Sequence, residues 1–366
     1  MADSGILNGG APAMAPGTIK SLPMVDISPF LASSSSSEAR KQVALAIDRA
    51  CTDFGFFYLT GHGIPQARLE EVISLAREFF SSPAEEKNKI KRHDAGGPEG
   101  GDGARGYQGM GENVTQGKKD MHEAIDLYRE WDHAPTQSGS GGEGTRRTLE
   151  GPNLWPEEPK ELKSVYLEYI DQLQSVGTAL VRAMGQALDL PVPGESTSGT
   201  GQTEDSEIFV RNTSKSFWVM RLIGYPKLAT PINPDADLAE LSCGEHTDYG
   251  CVTLLLADPT LGALQVLLKD GKTWLNADPI PGAFVVNIGD MIEWWTNGLW
   301  QSTKHRVIHR GEGYRVSVPF FFEPNFDAVV KPLGKCVERN GKEPMHQEIT
   351  YGEHLLSKVF GNFDST

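Results

Sequence analysis

Hydrophobic positions change their period along this chain, and the changes divide it. Residues 21–30 read as a strand and entry loop, and Phe56–Leu59 predicts a short strand. Between them Glu38–Phe54 predicts a helix, opened by a serine run at 33–37 that offers N-caps. Gln66–Phe80 repeats apolar residues at Leu69, Val72, Ile73, Ala76 and Phe79 or Phe80, the spacing of one helix face. Lys160–Leu190 does the same over a longer span, through Leu162, Val165, Tyr169, Leu173, Val176, Leu180 and Met184. From Phe217 to about Glu323 the pattern becomes short β-prone runs separated by turns. Three of these are Cys251–Ala257, Gly262–Leu268 and Ala283–Ile288. A last helix is predicted near Tyr351–Phe360.

Three internal stretches break the pattern: the loop Asp94–Arg105, the Gly/Ser-rich Thr136–Thr145, and the polar, Ser/Thr/Gly-rich Pro191–Glu207, which reads as a connector or lid. The fold class is therefore mainly β with flanking helices. We divide it into a disordered tail (1–20), an N-terminal α/β extension (21–135), a helix and flexible connector (136–212), a β-barrel core (213–325), and a C-terminal tail and helix (326–366). The extension is expected to share the barrel's core, and the long helix to back the barrel. No internal repeat appears.

Candidate chemistry is concentrated in the strand-rich part. His246-Thr247-Asp248 precedes an apolar run, and residues i and i+2 of a strand point to one face. His246 and Asp248 can therefore hold one ion while Thr247 turns away. His305 lies 57 residues beyond Asp248 and offers a third ligand from another strand. Two histidines and a carboxylate form the facial ligand set of mononuclear Fe(II) oxygenases, which leaves positions open. Ten residues after His305 comes Arg315, followed by Ser317. Ten residues of straight strand would span about 33 Å, too far for one site. Gly311-Glu312-Gly313 between them predicts a hairpin that folds Arg315 and Ser317 back beside the His305 strand. An arginine there suits the carboxylate of a 2-oxo acid. Zinc shares this ligand set, but the helical HExxH pattern is absent and an oxo-acid clamp has no role in zinc hydrolysis. His309 is the alternative third ligand, rejected for its closeness to the turn.

Composition narrows the partners. The net charge of −15 argues against nucleic acid or an anionic membrane as partner. No apolar run reaches the length of a membrane span, and Met1–Lys20 lacks the basic and apolar regions of a secretory signal. Cys51, Cys243, Cys251 and Cys336 show no CxxC spacing and are expected as free thiols of a cytoplasmic, monomeric protein.

At these residues the chain resembles the 2-oxoglutarate- and Fe(II)-dependent dioxygenases of the isopenicillin N synthase type. The likeness runs through Leu22–Ile27, Ala50–Phe57, Gly61–Ile64, Phe79–Lys87, Met220–Pro226, Gly262–Val266 and Asn287–Asp290. It implies a double-stranded β-helix, or jelly roll, with iron on His246, Asp248 and His305. It implies that Arg315 and Ser317 bind the distal carboxylate of 2-oxoglutarate, with Tyr225 as a further donor. The reaction implied is oxidation of a small organic metabolite by O2, with release of succinate and CO2 and with ascorbate as an accessory reductant. Many relatives carry asparagine where this chain has Ile223, so one polar contact near the oxo acid is missing. A same-fold Fe(II) oxidase that uses no oxo acid and a non-catalytic jelly-roll receptor are the competing readings. Substrate-pocket candidates are Tyr249, Arg221, Phe320, Phe322 and Trp294; an internal ion pair is the alternative for Arg221, and Asp290 reads as a turn-forming or supporting residue.

Overall fold

The computed structural model describes residues 21–131 apart from Gly96, Pro98 and Gln116, then 149–191, Pro193, 204–229 and 241–363. The tail (1–20), the Thr136–Thr145 stretch and most of the Pro191–Glu207 connector, lid reading included, lie outside the described residues.

The helices follow the predicted periods. They are α1 (Ser28–Leu31), α2 (Ser37–Asp53), α3 (Gln66–Phe80), α4 (Ala84–Asn88), α5 (Leu162–Ala187), α6 (Ile208–Asn212), α7 (Asp290–Trp295), α8 (Gly334–Asn340) and α9 (Tyr351–Phe363). Ser36 caps α2 by accepting from the Ala39 N–H. The apolar stripe of α5 is buried along its whole length.

The strands are β1 (Met24–Asp26), β2 (Phe56–Thr60), β3 (Gly106–Gln108), β4 (Val114–Thr115), β5 (Lys118–Lys119), β6 (Glu123–Tyr128), β7 (Val219–Tyr225), β8 (Cys243–His246), β9 (Val252–Ala257), β10 (Leu264–Leu267), β11 (Trp274–Asn276), β12 (Phe284–Ile288), β13 (His305–Val307), β14 (Arg315–Phe322), β15 (Val329–Val330) and β16 (Ile349–Thr350). The main sheet runs β1-β2-β12-β9-β14-β7-β6-β3, and a smaller sheet runs β11-β10-β13-β8. Facing each other, these two sheets make the jelly-roll core. The N-terminal extension is built into it: β1 and β2 extend one edge of the main sheet, and β6 and β3 extend the other.

Period-2 alternation sorts the main sheet into two faces. Val316, Val318, Phe320 and Phe322 of β14, with Met220 and Leu222 of β7, join the large core under α2, α3 and α5. Ile223 and Tyr225 of β7, Val285 of β12 and Val266 of β10 belong to a smaller cluster between the sheets. A methyl group on Gly177 of α5 would sit 2.6 Å from the Phe322 ring, so the helix approaches the outer face as closely as glycine allows.

Two local expectations are corrected here. Gly311–Gly313 does turn the chain, but β13 and β14 do not pair. β13 pairs with β8 and β10 in the small sheet, whereas β14 pairs with β7 and β9 in the main sheet. The turn is a corner between sheets, and it sets Arg315 on the main sheet and His305 on the small one. His246 and Asp248 likewise do not share a strand: β8 ends at His246, and Asp248 lies on the corner leading to β9. A jelly roll has to pass from sheet to sheet, and local spacing cannot distinguish such a corner from a hairpin.

Candidate active site

The β8–β9 corner and the start of β13 bring His246, Asp248 and His305 together, with one ligand atom from each within 4.8 Å of the others. His246 Nε2 and His305 Nε2 each lie 3.7 Å from Asp248 Oδ1. Backbone carbonyls fix both rings: His246 Nδ1 donates to Gly244 O (2.8 Å) and His305 Nδ1 to Thr303 O (3.2 Å). Both Nε2 lone pairs are thereby aimed at the carboxylate and the space beside it. Asp248 Oδ2 accepts from Thr253 Oγ1 (2.5 Å) and Asn287 Nδ2 (2.7 Å), which leaves Oδ1 for the histidine side. Burial opposes ionisation of Asp248, but the two histidines and these hydrogen bonds hold its pKa below the ordinary carboxylate value. Burial, joined by the charge of His246, pushes His305 down to about 4. His246 is raised to about 10, against its burial, by Cys243 and Asp248. Two imidazoles and a carboxylate are a donor set that suits a divalent ion.

Arg315 is 2% exposed and faces the barrel interior, and its Nε and Nη1 have no hydrogen-bond partner. A buried guanidinium with unsatisfied donors fits an incoming carboxylate. Its carbon lies 4.8 Å from the Tyr225 ring centre, and Ser317 Oγ lies 3.4 Å from the Tyr225 hydroxyl. Arg315, Ser317 and Tyr225 thus form one buried polar corner. Ile223 is buried among apolar residues. His122, which sequence reasoning missed, packs against Tyr225 with ring centres 5.6 Å apart. Its Nδ1 faces Ser242 O at 2.7 Å, its Nε2 is buried without a partner, and burial pushes its pKa down to about 3.

A cavity of about 190 Å³ opens from the His246–Asp248 corner towards solvent. Tyr249 and Arg221 line it. Arg221 also makes the internal ion pair, donating from Nε to Asp126 Oδ1 at 2.6 Å. Phe320, Phe322 and Trp294 do not line it. Phe320 and Phe322 share the parity of Val316 and Val318 and point into the helix-backed core. Trp294 stacks on His346 at 4.2 Å, on the side where α7 meets the C-terminal segment. Phe321 and Glu323 line the wall instead, together with Tyr351, Leu355 and Val359 of α9. The odd parity of Arg315 and Ser317 was a signal that could have found both. Asp290 stands at the start of α7, with His354 and Lys358 beside its carboxylate. His309 is fully buried and its Nε2 faces Gly313 O at 3.0 Å, inside the turn.

Comparison with known proteins agrees with this geometry. A family model described as the N-terminal region of a non-haem dioxygenase in morphine synthesis matches residues 22–158. The 2OG-Fe(II) oxygenase superfamily model matches residues 217–324. A homoarginine-6-hydroxylase of Oryza sativa subsp. japonica is 41% identical over 349 residues, covering 94% of this chain and 98% of that protein. One of Arabidopsis thaliana is 43% identical over 354 residues, covering 94% and 98%. A full-length Neurospora crassa protein, solved in complex with alpha-KG, superimposes with a TM-score of 0.74 at 26% identity, covering 93% of this chain and 96% of that one.

Proposed function

The chain belongs to the 2-oxoglutarate- and Fe(II)-dependent dioxygenases, and from that premise we propose that it hydroxylates a cationic amino acid of the homoarginine type. As a member of that family it is an iron-dependent oxygenase of small metabolites. The observation that carries the assignment of its site is the juxtaposition of two buried features. One is the convergent His246–Asp248–His305 donor set; the other is the guanidinium of Arg315, with two donors unsatisfied.

In this reading His246, Asp248 and His305 hold the iron. Arg315, with Ser317 and Tyr225, holds the far carboxylate of 2-oxoglutarate. Bound iron and 2-oxoglutarate supply the oxidising chemistry: O2 and the oxo acid give succinate and CO2, and one oxygen atom enters a substrate C–H bond. The protein's part is positional. Thr253 and Asn287 keep Asp248 Oδ2 engaged so that Oδ1 faces the ion. The Gly244 and Thr303 carbonyls hold the histidine tautomers that present Nε2. The helix-backed core behind β14 excludes water from the charged corner.

Homoarginine as substrate rests on the 41–43% identity to homoarginine-6-hydroxylases over almost the whole chain. Purified iron-loaded protein should release succinate from 2-oxoglutarate in step with homoarginine consumption, giving a product heavier by one oxygen or, where the hydroxyl falls on the carbon bonded to the guanidino nitrogen, the aldehyde and guanidine into which it breaks down. Succinate release that ignores homoarginine and other cationic amino acids would remove the substrate assignment and leave the reaction class. We also take the enzyme to act as a cytoplasmic monomer, a reading supported by its four unpaired cysteines and checked by light scattering and cell fractionation. No helix among the described residues is long and apolar enough to cross a membrane.

A further inference from the structure

Charged groups on the cavity wall are not evenly matched. Arg221 is paired with Asp126, Glu112 with Lys91, and the charge of Arg92 also acts on Glu112. Asp248 belongs to the metal-ligand cluster. Glu323 remains. It lines the cavity, is 4% exposed, and pairs with no lysine, arginine or histidine among the described residues. One carboxylate oxygen accepts from the Cys251 N–H at 3.2 Å, and the Tyr351 hydroxyl donates to the same carboxyl group. Two neutral donors do not replace the charge that a buried carboxylate lacks. Burial, reinforced by the charge of Asp248, pushes the Glu323 pKa up to about 8.

Its position is as specific as its charge. The β14 alternation that turns Arg315 and Ser317 inward also turns Phe321 and Glu323 inward. The carboxylate lies directly over Gly250, where an added methyl carbon would collide with Oε2. Gly250 and Cys251 follow Asp248 by two and three residues, so a cation held by Glu323 sits beside the metal-ligand corner.

We propose that Glu323 is the specificity-determining residue of the cavity and receives the guanidinium of the substrate, placing the carbon next to the guanidino nitrogen at the oxidising centre. This rests on the homoarginine-type reading above. The reaction balances as R–H plus O2 plus 2-oxoglutarate giving R–OH plus succinate plus CO2. The C–H bond broken is on the carbon attached to the guanidino nitrogen, which is carbon 6 of homoarginine. A cation anchored elsewhere in the cavity would give no reason for that position.

The test uses full-length protein loaded with Fe(II) and 2-oxoglutarate under anaerobic conditions, with calorimetric titration of homoarginine and of homocitrulline, its neutral urea counterpart. Wild type should prefer homoarginine by about 30-fold or more, the low end for a buried charge pair. Glu323→Gln should bind homoarginine about 30-fold more weakly and lose the preference, while keeping its 2-oxoglutarate affinity. Wild type that binds both compounds equally would overturn the role of Glu323 without reference to any variant. An unchanged homoarginine affinity in Glu323→Gln would overturn it as well, and the homoarginine reading would survive. Wild type that binds neither compound overturns that reading and this inference together.

Discussion

The two faces of β14 differ more than any two segments of the chain. Even-numbered residues Val316, Val318, Phe320 and Phe322 enter the dry core under the helices. Odd-numbered residues Arg315, Ser317 and Phe321 face the barrel interior, and Glu323 continues that side just past the strand. One face consists of apolar surface packed against α5. The other carries an unsatisfied guanidinium, a hydroxyl and, at its end, an unpaired carboxylate. The rigidity of the first is what allows the second to keep charged groups buried and oriented without compensating partners. Substitutions on the two faces should therefore separate function from stability.

The largest expected effect is on the inner side. His246→Ala should abolish turnover and weaken iron binding in anaerobic titration, with a melting temperature close to wild type. Near-normal activity after iron reconstitution would break the ligand assignment. Next is Arg315→Ala. Removing one member of a buried charge pair costs roughly 2–5 kcal/mol, so anaerobic 2-oxoglutarate affinity should fall by ~30-fold to several thousand-fold. An unchanged dissociation constant would favour an oxidase that does not use the oxo acid.

The outer face should respond in stability. Phe322→Ala empties a site that is 1% exposed and should lower unfolding free energy by roughly 3–5 kcal/mol in denaturant titration. If it also altered the 2-oxoglutarate affinity by more than a few-fold, the independence of the faces would be lost. Gly177→Ala forces a methyl group against the Phe322 ring and should cost about 1–3 kcal/mol. The smallest effect on the inner side is expected for Ser317→Ala, which removes one hydrogen bond to the oxo-acid carboxylate, worth about 1.5–3 kcal/mol, or roughly ten- to a hundred-fold in affinity. A larger loss there would mean that the serine, with Tyr225, shares the clamp more evenly with Arg315.

What is legible in the sequence follows the same division. Helical periods locate α2, α3 and α5 to within a few residues, because an amphipathic helix records its own buried face. The cluster at 246, 248 and 305 can be read because few residue types could hold such a metal and the chain places them in strand-rich context. The pairing after Gly311–Gly313 cannot be read, because glycine reports a turn and not which sheet receives the next strand. Phe320 and Phe322 suggest cavity wall only because aromatic residues serve both faces; the parity of Arg315 settles which face is which. Glu323 and His122 carry no motif. Their significance comes from burial of a carboxylate without an opposite charge and of an imidazole Nε2 without a partner, and burial is a tertiary property.

The seating of β2 in the main sheet bears on how the protein is made. Phe56 lies opposite Asn287, so an early strand waits for one near the other end of the chain before it has a neighbour on that side. Asn287 is also the residue that steadies Asp248. Pairings this distant in sequence fold slowly and leave strand edges open meanwhile. During synthesis, then, a ribosome-bound chain that has completed only its N-terminal half holds half of a sheet and none of the iron-site residues. Synthesis interrupted, or cleavage, before residue 246 should leave fragments that hold none of the three donors, not weakened enzymes.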